Sequence, residues 1–292
     1  MKNTLRTIYI VAIIAAGIVS TSNAGTWTYL DAPDSNGIDA RGISGSKVVG
    51  MSGSRGFLYN GSTRTFFNAP GSIETMVYGI SGNKIVGYYL DTSWNNRGYI
   101  YDGVTWTSFN APGAVFTTPY GIDGDNIVGS YYSNSPYNTS FRYNGSTWTT
   151  FNAPGAKYTD AYGIQGGNIV GHYNDASGDH GYLYDGSNWT TLDAPGAYST
   201  FAFGISGSNI VGYYMGLDGS GDHGFIYNGS TWTILDAPLA VNGTEVWGIS
   251  GDNIVGTYWD ASFRVHSFVY TIPEPATLLL FGLGAAIVRR KR

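Results

Sequence analysis

The chain contains no cysteine, which removes disulfides, a thiolate nucleophile and Cys-ligated metals together. Charge is also scarce: 12% of residues are Asp, Glu, Lys or Arg. Of the 15 Lys and Arg, six lie at the two ends, as Lys2, Arg6, Arg289, Arg290, Lys291 and Arg292. Setting these and Glu274 aside leaves 9 basic and 19 acidic side chains, so the body sits near −10. With no basic stripe to neutralise phosphates, nucleic acid is excluded as a partner. No helical period runs through residues 25–271. What is abundant is glycine and aromatic side chains, at 43 Gly and 15% Phe, Trp and Tyr. The glycines lack a three-residue period and the aromatics are too many for a disordered coil, which excludes collagen and low complexity.

The two ends read as addresses. Lys2 and Arg6 precede an apolar stretch from Ile8 to Val19, and Ser22-Asn23-Ala24 places small residues where signal peptidase accepts them, so residues 1–24 are expected to be a signal peptide cleaved between Ala24 and Gly25. At the other end, Ala276 to Val288 carries no charge, and about 1.5 Å of helical rise per residue makes it roughly 20 Å long, a short span for a core of about 30 Å. The basic anchor Arg289, Arg290, Lys291 and Arg292 would hold its end on the cytoplasmic side, leaving the body outside the inner membrane.

Taken in order, Pro273-Glu274-Pro275, the short apolar run and the basic end resemble the PEP-CTERM sorting signal of Gram-negative bacteria. The resemblance covers residues 272–292 and implies an exosortase as processing partner, transient passage through the inner membrane, and a destination in the cell envelope, at the cell surface or in the extracellular matrix. It says nothing of the chemistry of residues 25–271.

That body is a repeat. A Gly-Ile pair, a turn and a Val-Gly pair recur from Gly42, Gly79, Gly121, Gly163, Gly204 and Gly248, spaced by 37, 42, 42, 41 and 44 residues. Each unit contains four short runs rich in Tyr, Ile, Val, Thr and Trp, separated by Gly, Asn, Asp and Ser. Four strands per forty-odd residues predict the blade of an all-β propeller. The sixth unit stops after its third run, Ser267-Phe-Val-Tyr270, while the chain opens with an orphan fourth run, Thr26-Trp-Thr-Tyr-Leu30. The two fragments make one blade, which predicts a closed six-bladed ring whose amino-terminal strand completes the last blade. Within the units, His180-Gly-Tyr182, His223-Gly-Phe225 and His266-Ser-Phe268 resemble the HAF repeat of bacterial extracellular proteins, with Gly or Ser in place of its central Ala.

If the four runs go outward from the axis, the first-to-second and third-to-fourth turns share one face and are uniform hairpins such as Ser44-Gly45-Ser46 and Asn60-Gly61-Ser62. The other loops vary and carry Trp94 and Trp259, so recognition is expected on that face. Three residues before the Gly-Ile pairs stand Asp39, Met76, Thr118, Asp160, Phe201 and Glu245, a position expected near the axis at the mouth. Asp39, Asp160 and Glu245 are then either solvated rim charges or an acid cluster suited to a cation or to glycoside hydrolysis. Asp31, Asp193 and Asp236 occupy the place of Asn68, Asn110 and Asn152, and an acid exchanged for its amide reads as a turn cap. His180, His223 and His266 fall one to a blade, so no metal site is expected, nor a cofactor or an assigned catalytic residue. The function expected is an exported binding or structural module, for exopolysaccharide or cell-surface proteins. A secreted glycan-active hydrolase or lyase with acids at the mouth is the alternative.

Overall fold

The computed structural model describes residues 25–30, 37–217, 219 and 221–273. The expected signal peptide, Glu274, Pro275, the expected short carboxy-terminal transmembrane helix and the basic residues Arg289, Arg290, Lys291 and Arg292 lie outside them. The described residues contain no helix and form six four-stranded antiparallel sheets. Strand β1 (Thr26–Tyr29) opens the chain. Blade one holds β2 (Asp39–Ser44), β3 (Lys47–Ser52), β4 (Arg55–Tyr59) and β5 (Arg64–Phe67). Blade two holds β6 (Ser72–Ser81), β7 (Lys84–Asp91), β8 (Asn96–Tyr101) and β9 (Trp106–Phe109). Blade three holds β10 (Phe116–Asp123), β11 (Asn126–Tyr132), β12 (Thr139–Tyr143) and β13 (Trp148–Phe151). Blade four holds β14 (Tyr158–Gln165), β15 (Asn168–Asn174), β16 (Asp179–Tyr184) and β17 (Trp189–Leu192). Blade five holds β18 (Ala197–Ser206), β19 (Asn209–Gly216), β20 (Asp222–Tyr227) and β21 (Trp232–Ile234). Blade six holds β22 (Thr244–Ser250), β23 (Asn253–Trp259) and β24 (Val265–Thr271), and β1 pairs with β24 from Thr26↔Thr271 to Tyr29↔Phe268. The ring therefore closes as the chain fragments predict, and Gly25–Ile272 is one compact unit.

The repeated glycines explain the packing. The first strand of each blade meets the first strand of the next around the axis. A Cβ on Gly121 would stand 2.5 Å from the carbonyl oxygen of Tyr162, and one on Gly79 2.6 Å from that of Tyr120, so only glycine allows neighbouring strands this close. The Val-Gly glycine acts within a blade: a Cβ on Gly87 would lie 2.0 Å from the Met76 carbonyl oxygen. Opposite these glycines the third strands bury Phe57, Tyr99, Phe141, Tyr182, Phe225 and Phe268 almost completely. In five blades a fourth-strand Trp packs on that ring, as Trp106 does on Tyr99 at 4.9 Å and Trp27 on Phe268 at 4.8 Å, whereas in blade one Arg64 lies over Phe57. The core clusters bridge neighbouring blades, Val170 of blade four joining Ile205, Ile210 and Phe225 of blade five. No blade buries its own faces alone.

Two sets of polar bonds repeat with the blades. On the short-turn face, each first-hairpin glycine donates its N–H to a side chain of the preceding blade: Gly45 to Ser250, Gly82 to Ser44, Gly124 to Ser81, Gly166 to Asp123, Gly207 to Gln165 and Gly251 to Ser206. These six bonds go once round the ring and close it between blades six and one. On the other face, the buried hydroxyls of Thr75, Thr117, Thr159, Thr200 and Thr244 accept the N–H of Ala69, Ala111, Ala153, Ala194 and Ala237, fixing the crossing between blades.

Candidate functional site: the axial mouth

All six first strands shift register immediately before the Gly-Ile pair. The residue skipped in each is Arg41, Tyr78, Tyr120, Tyr162, Phe203 or Trp247, and the bulge turns that side chain into the axis. Together they line a central cavity of about 240 Å³. Tyr78 meets Tyr120 edge to face at 5.0 Å, Tyr120 meets Tyr162 at 5.0 Å, Tyr162 stacks on Phe203 at 4.3 Å, and Phe203 meets Trp247 at 4.6 Å. Arg41 closes the circle with its guanidinium 3.6 Å from the Trp247 ring centroid. Five aromatic rings and one cation thus form the floor of the mouth. Sequence reasoning missed this ring, although its signal was visible: the residue before the Gly-Ile pair is aromatic in five units and Arg in the first.

Above this floor the position holding Asp39, Asp160 and Glu245 lies in the first half of the first strands, at the variable-loop end. The structure gathers two of the three. Asp39 accepts a 2.6 Å bond from Arg41, and Glu245 of the adjoining blade acts on the same guanidinium. Burial pulls the Arg41 pKa down, but Asp39 and Glu245 more than offset it and leave it raised. Glu245 also shares a hydrogen bond with Asp222 at the start of β20; burial pushes its carboxyl up to about 8, with Arg41 opposing and Asp222 and Asp39 adding. Asp222 is raised as well, through burial. One proton is therefore held between Glu245 and Asp222 at neutral pH. Asp160 belongs to a different group, in blade four. It is buried, 3.4 Å from the Asn138 amide, and its Oδ2 is 4.0 Å from Nδ1 of the equally buried His172. Burial holds His172 below the usual imidazole range against the pull of Asp160 and Asp179, so the ring is neutral at pH 7.

The remaining candidates separate clearly. Trp94 is 72% exposed at the tip of the β7–β8 loop, held at φ 62° by backbone and Asp91 bonds. Phe263, 74% exposed at φ 58°, repeats that loop geometry in blade six around Asp260. Positive φ at a bulky residue is strained, and both loops use it to lift an aromatic ring into solvent. Trp259 is half-buried at the end of β23. Among the described residues no group of three or more His, Asp or Glu is placed to hold a metal ion.

The Asp/Asn position needs a correction. Asp193 and Asp236 are not turn caps: they accept from Nδ1 of His180 and His223 at 3.0 and 2.8 Å. The repeat carried the signal, because Asp stands there where the third strand has His, in blades four to six, and Asn where it has Arg or Thr. Asp31, the blade-six counterpart, lies outside the described residues.

A family model described as the PEP-CTERM protein-sorting motif matches residues 271–292. No curated protein matches the chain. Among solved structures, the chain is similar to a six-bladed β-propeller lectin of Aleuria aurantia, described for its fucose recognition mode, with a TM-score of 0.51 and 16% identity over 82% of this chain and 94% of that one. It is also similar to the lectin SapL1 in complex with α-methyl fucoside, with a TM-score of 0.50 and 18% identity over 82% of this chain and 97% of that one. At these identities the likeness is one of fold.

Proposed function

We propose that residues 25–271 are the mature domain of an exported envelope protein that binds polysaccharide through the variable-loop face. On this reading residues 1–24 are removed as a signal peptide, and residues 272–292 present the sorting motif to an exosortase, which fixes a destination at the cell surface or in its matrix. The observation that carries the binding reading is the asymmetry of the two faces. One is tied off by six equivalent turn bonds, whereas the other exposes Trp94, Tyr137, Tyr198 and Phe263 around a mouth floored by aromatic rings. Sugars need this combination, since C–H faces of a pyranose stack on rings while hydroxyls take directional bonds from nearby polar groups. Two lectins of the same fold show that a six-bladed ring can serve such a task.

The acids at the mouth favour binding over hydrolysis. Glycoside hydrolysis needs two carboxyl groups about 5–10 Å apart, on either side of the scissile bond. Glu245 and Asp222 are instead hydrogen-bonded to each other, and Asp39 is held by Arg41.

Gly25–Ile272 closes its own ring and cores, so the isolated domain is a fair test object. Applied to a glycan array that includes bacterial exopolysaccharide fragments, it should retain at least one saccharide class, and Trp94→Ala with Phe263→Ala should weaken retention several-fold. A domain that retains no saccharide but captures an envelope protein would replace this reading with protein recognition.

A further inference from the structure

The six blades differ where the first and second strands face each other beside the axis. There the paired residues are Asp39 with Met51, Met76 with Tyr88, Thr118 with Ser130, Asp160 with His172, Phe201 with Tyr213 and Glu245 with Thr257. In blade three both members are small hydroxyl residues. A cleft of about 440 Å³ opens over them, walled on the blade-two side by Tyr78 and Tyr88. That volume suits a small organic ligand.

In blades three and five the residue just before the third-strand Thr or His reaches toward the following blade, whereas its blade-four counterpart Asp179 bonds Tyr158 and Asn174 of its own blade. Asp222 of blade five bonds Glu245, and Asn138 of blade three reaches Asp160. Asn96 of blade two and Thr118 of blade three line the same cleft. The Asn96 Oδ1 is buried without a hydrogen-bond partner, and the residue is part of the cleft lining. A buried acceptor left open is a costly feature that a donating ligand relieves. The Tyr120 hydroxyl bonds both Ser130 and Thr118 and belongs to the lining, as does Phe116, 42% exposed and stacked on Tyr132 at 6.1 Å. No charged side chain lines the space.

We propose that this cleft between blades two and three is a subsite for one neutral pyranose of the bound polysaccharide, with a sugar hydroxyl donating to Asn96 Oδ1, further hydroxyls meeting Ser130 and Thr118, and a C–H face on Phe116. The proposal rests on the polysaccharide reading above and adds the site and the class of sugar. The uncharged lining selects against uronates, because a carboxylate would lose its water without gaining a cation. Blades one, two, four, five and six lack the small pair, so the site occurs once per ring.

The test is titration of the domain with methyl pyranosides, neutral hexoses and 6-deoxyhexoses in one series and uronates in another, followed by ligand-observed NMR and calorimetry. Two variants are compared. Thr118→Phe with Ser130→Tyr copies the pair that blade five already packs and fills the cleft; Asn96→Ala removes the open acceptor without adding bulk. Neutral glycosides should bind and uronates should not, and each variant should weaken binding at least about tenfold while its melting curve stays cooperative. Neutral-sugar binding unchanged in both folded variants, or binding of uronates alone, would overturn the subsite and leave the polysaccharide reading standing. If neither the glycosides nor the array polysaccharides bind the wild-type domain, both readings fall.

Discussion

Glu245 is a residue whose state depends on the fold. Its carboxyl, ordinarily near 4.5, is pushed up to about 8 by burial among Asp222 and Asp39, with Arg41 opposing. Between those values the unfolded chain has released this proton and the native protein has kept it. The native state binds more protons there, so the contribution to stability falls as pH rises through the window and levels off above about 8. Asp222, also raised, acts in the same direction. Glu245→Gln carries no titrating proton and should flatten the fall. Melting temperatures of both proteins from pH 4.5 to 8.5 measure this, and parallel curves would show that Glu245 titrates normally. The same fold-dependence explains what was legible at residue level. A self-alignment of six units places Asp39, Asp160 and Glu245 at the mouth, but the partner that separates Asp160 from the others, His172, comes from a different strand.

At the scale of elements, β1 decides whether the ring is a ring. It is four residues long, exposed along most of its length, and held by its ladder to β24 together with Trp27, whose ring lies 4.8 Å from both Phe268 and Tyr270. Trp27→Ala should cost about 2–4 kcal/mol of unfolding free energy, read from the urea midpoint, because the cavity opens between two packed rings. Deleting residues 25–32 should go further and expose the β24 edge, giving aggregation during purification or sedimentation. A deletion variant that stays monomeric with unchanged melting would mean that closure contributes nothing. Element boundaries were largely readable, since Gly, Asn and Asp mark every turn. The bulge in each first strand was not, because a register shift leaves no composition of its own.

For the whole molecule, the body and its address are separate parts of one chain. The sorting motif spans residues 271–292, beginning at the last residue of β24, so processing there would leave the propeller intact. Replacing Pro273 and Pro275 by Ala should block processing in a host that has an exosortase, and immunoblots of membrane and secreted fractions should show unprocessed protein held at the inner membrane. Normal processing of this variant would mean that the triplet is not what the host reads.

The amino-acid sequence alone determined the ring: its period set six blades, its glycines set the close approach of strands, and its split sixth unit set the closure, all of them local or repetitive features that survive in one dimension. It also determined the address, which is read as linear chain. Only the tertiary structure decided the site. The Arg41–Trp247 stack and the Glu245–Asp222 proton each join residues of different blades, the open Asn96 acceptor belongs to a cleft lined by two blades, and the energies that define them, desolvation and unpaired burial, exist only once the ring has closed.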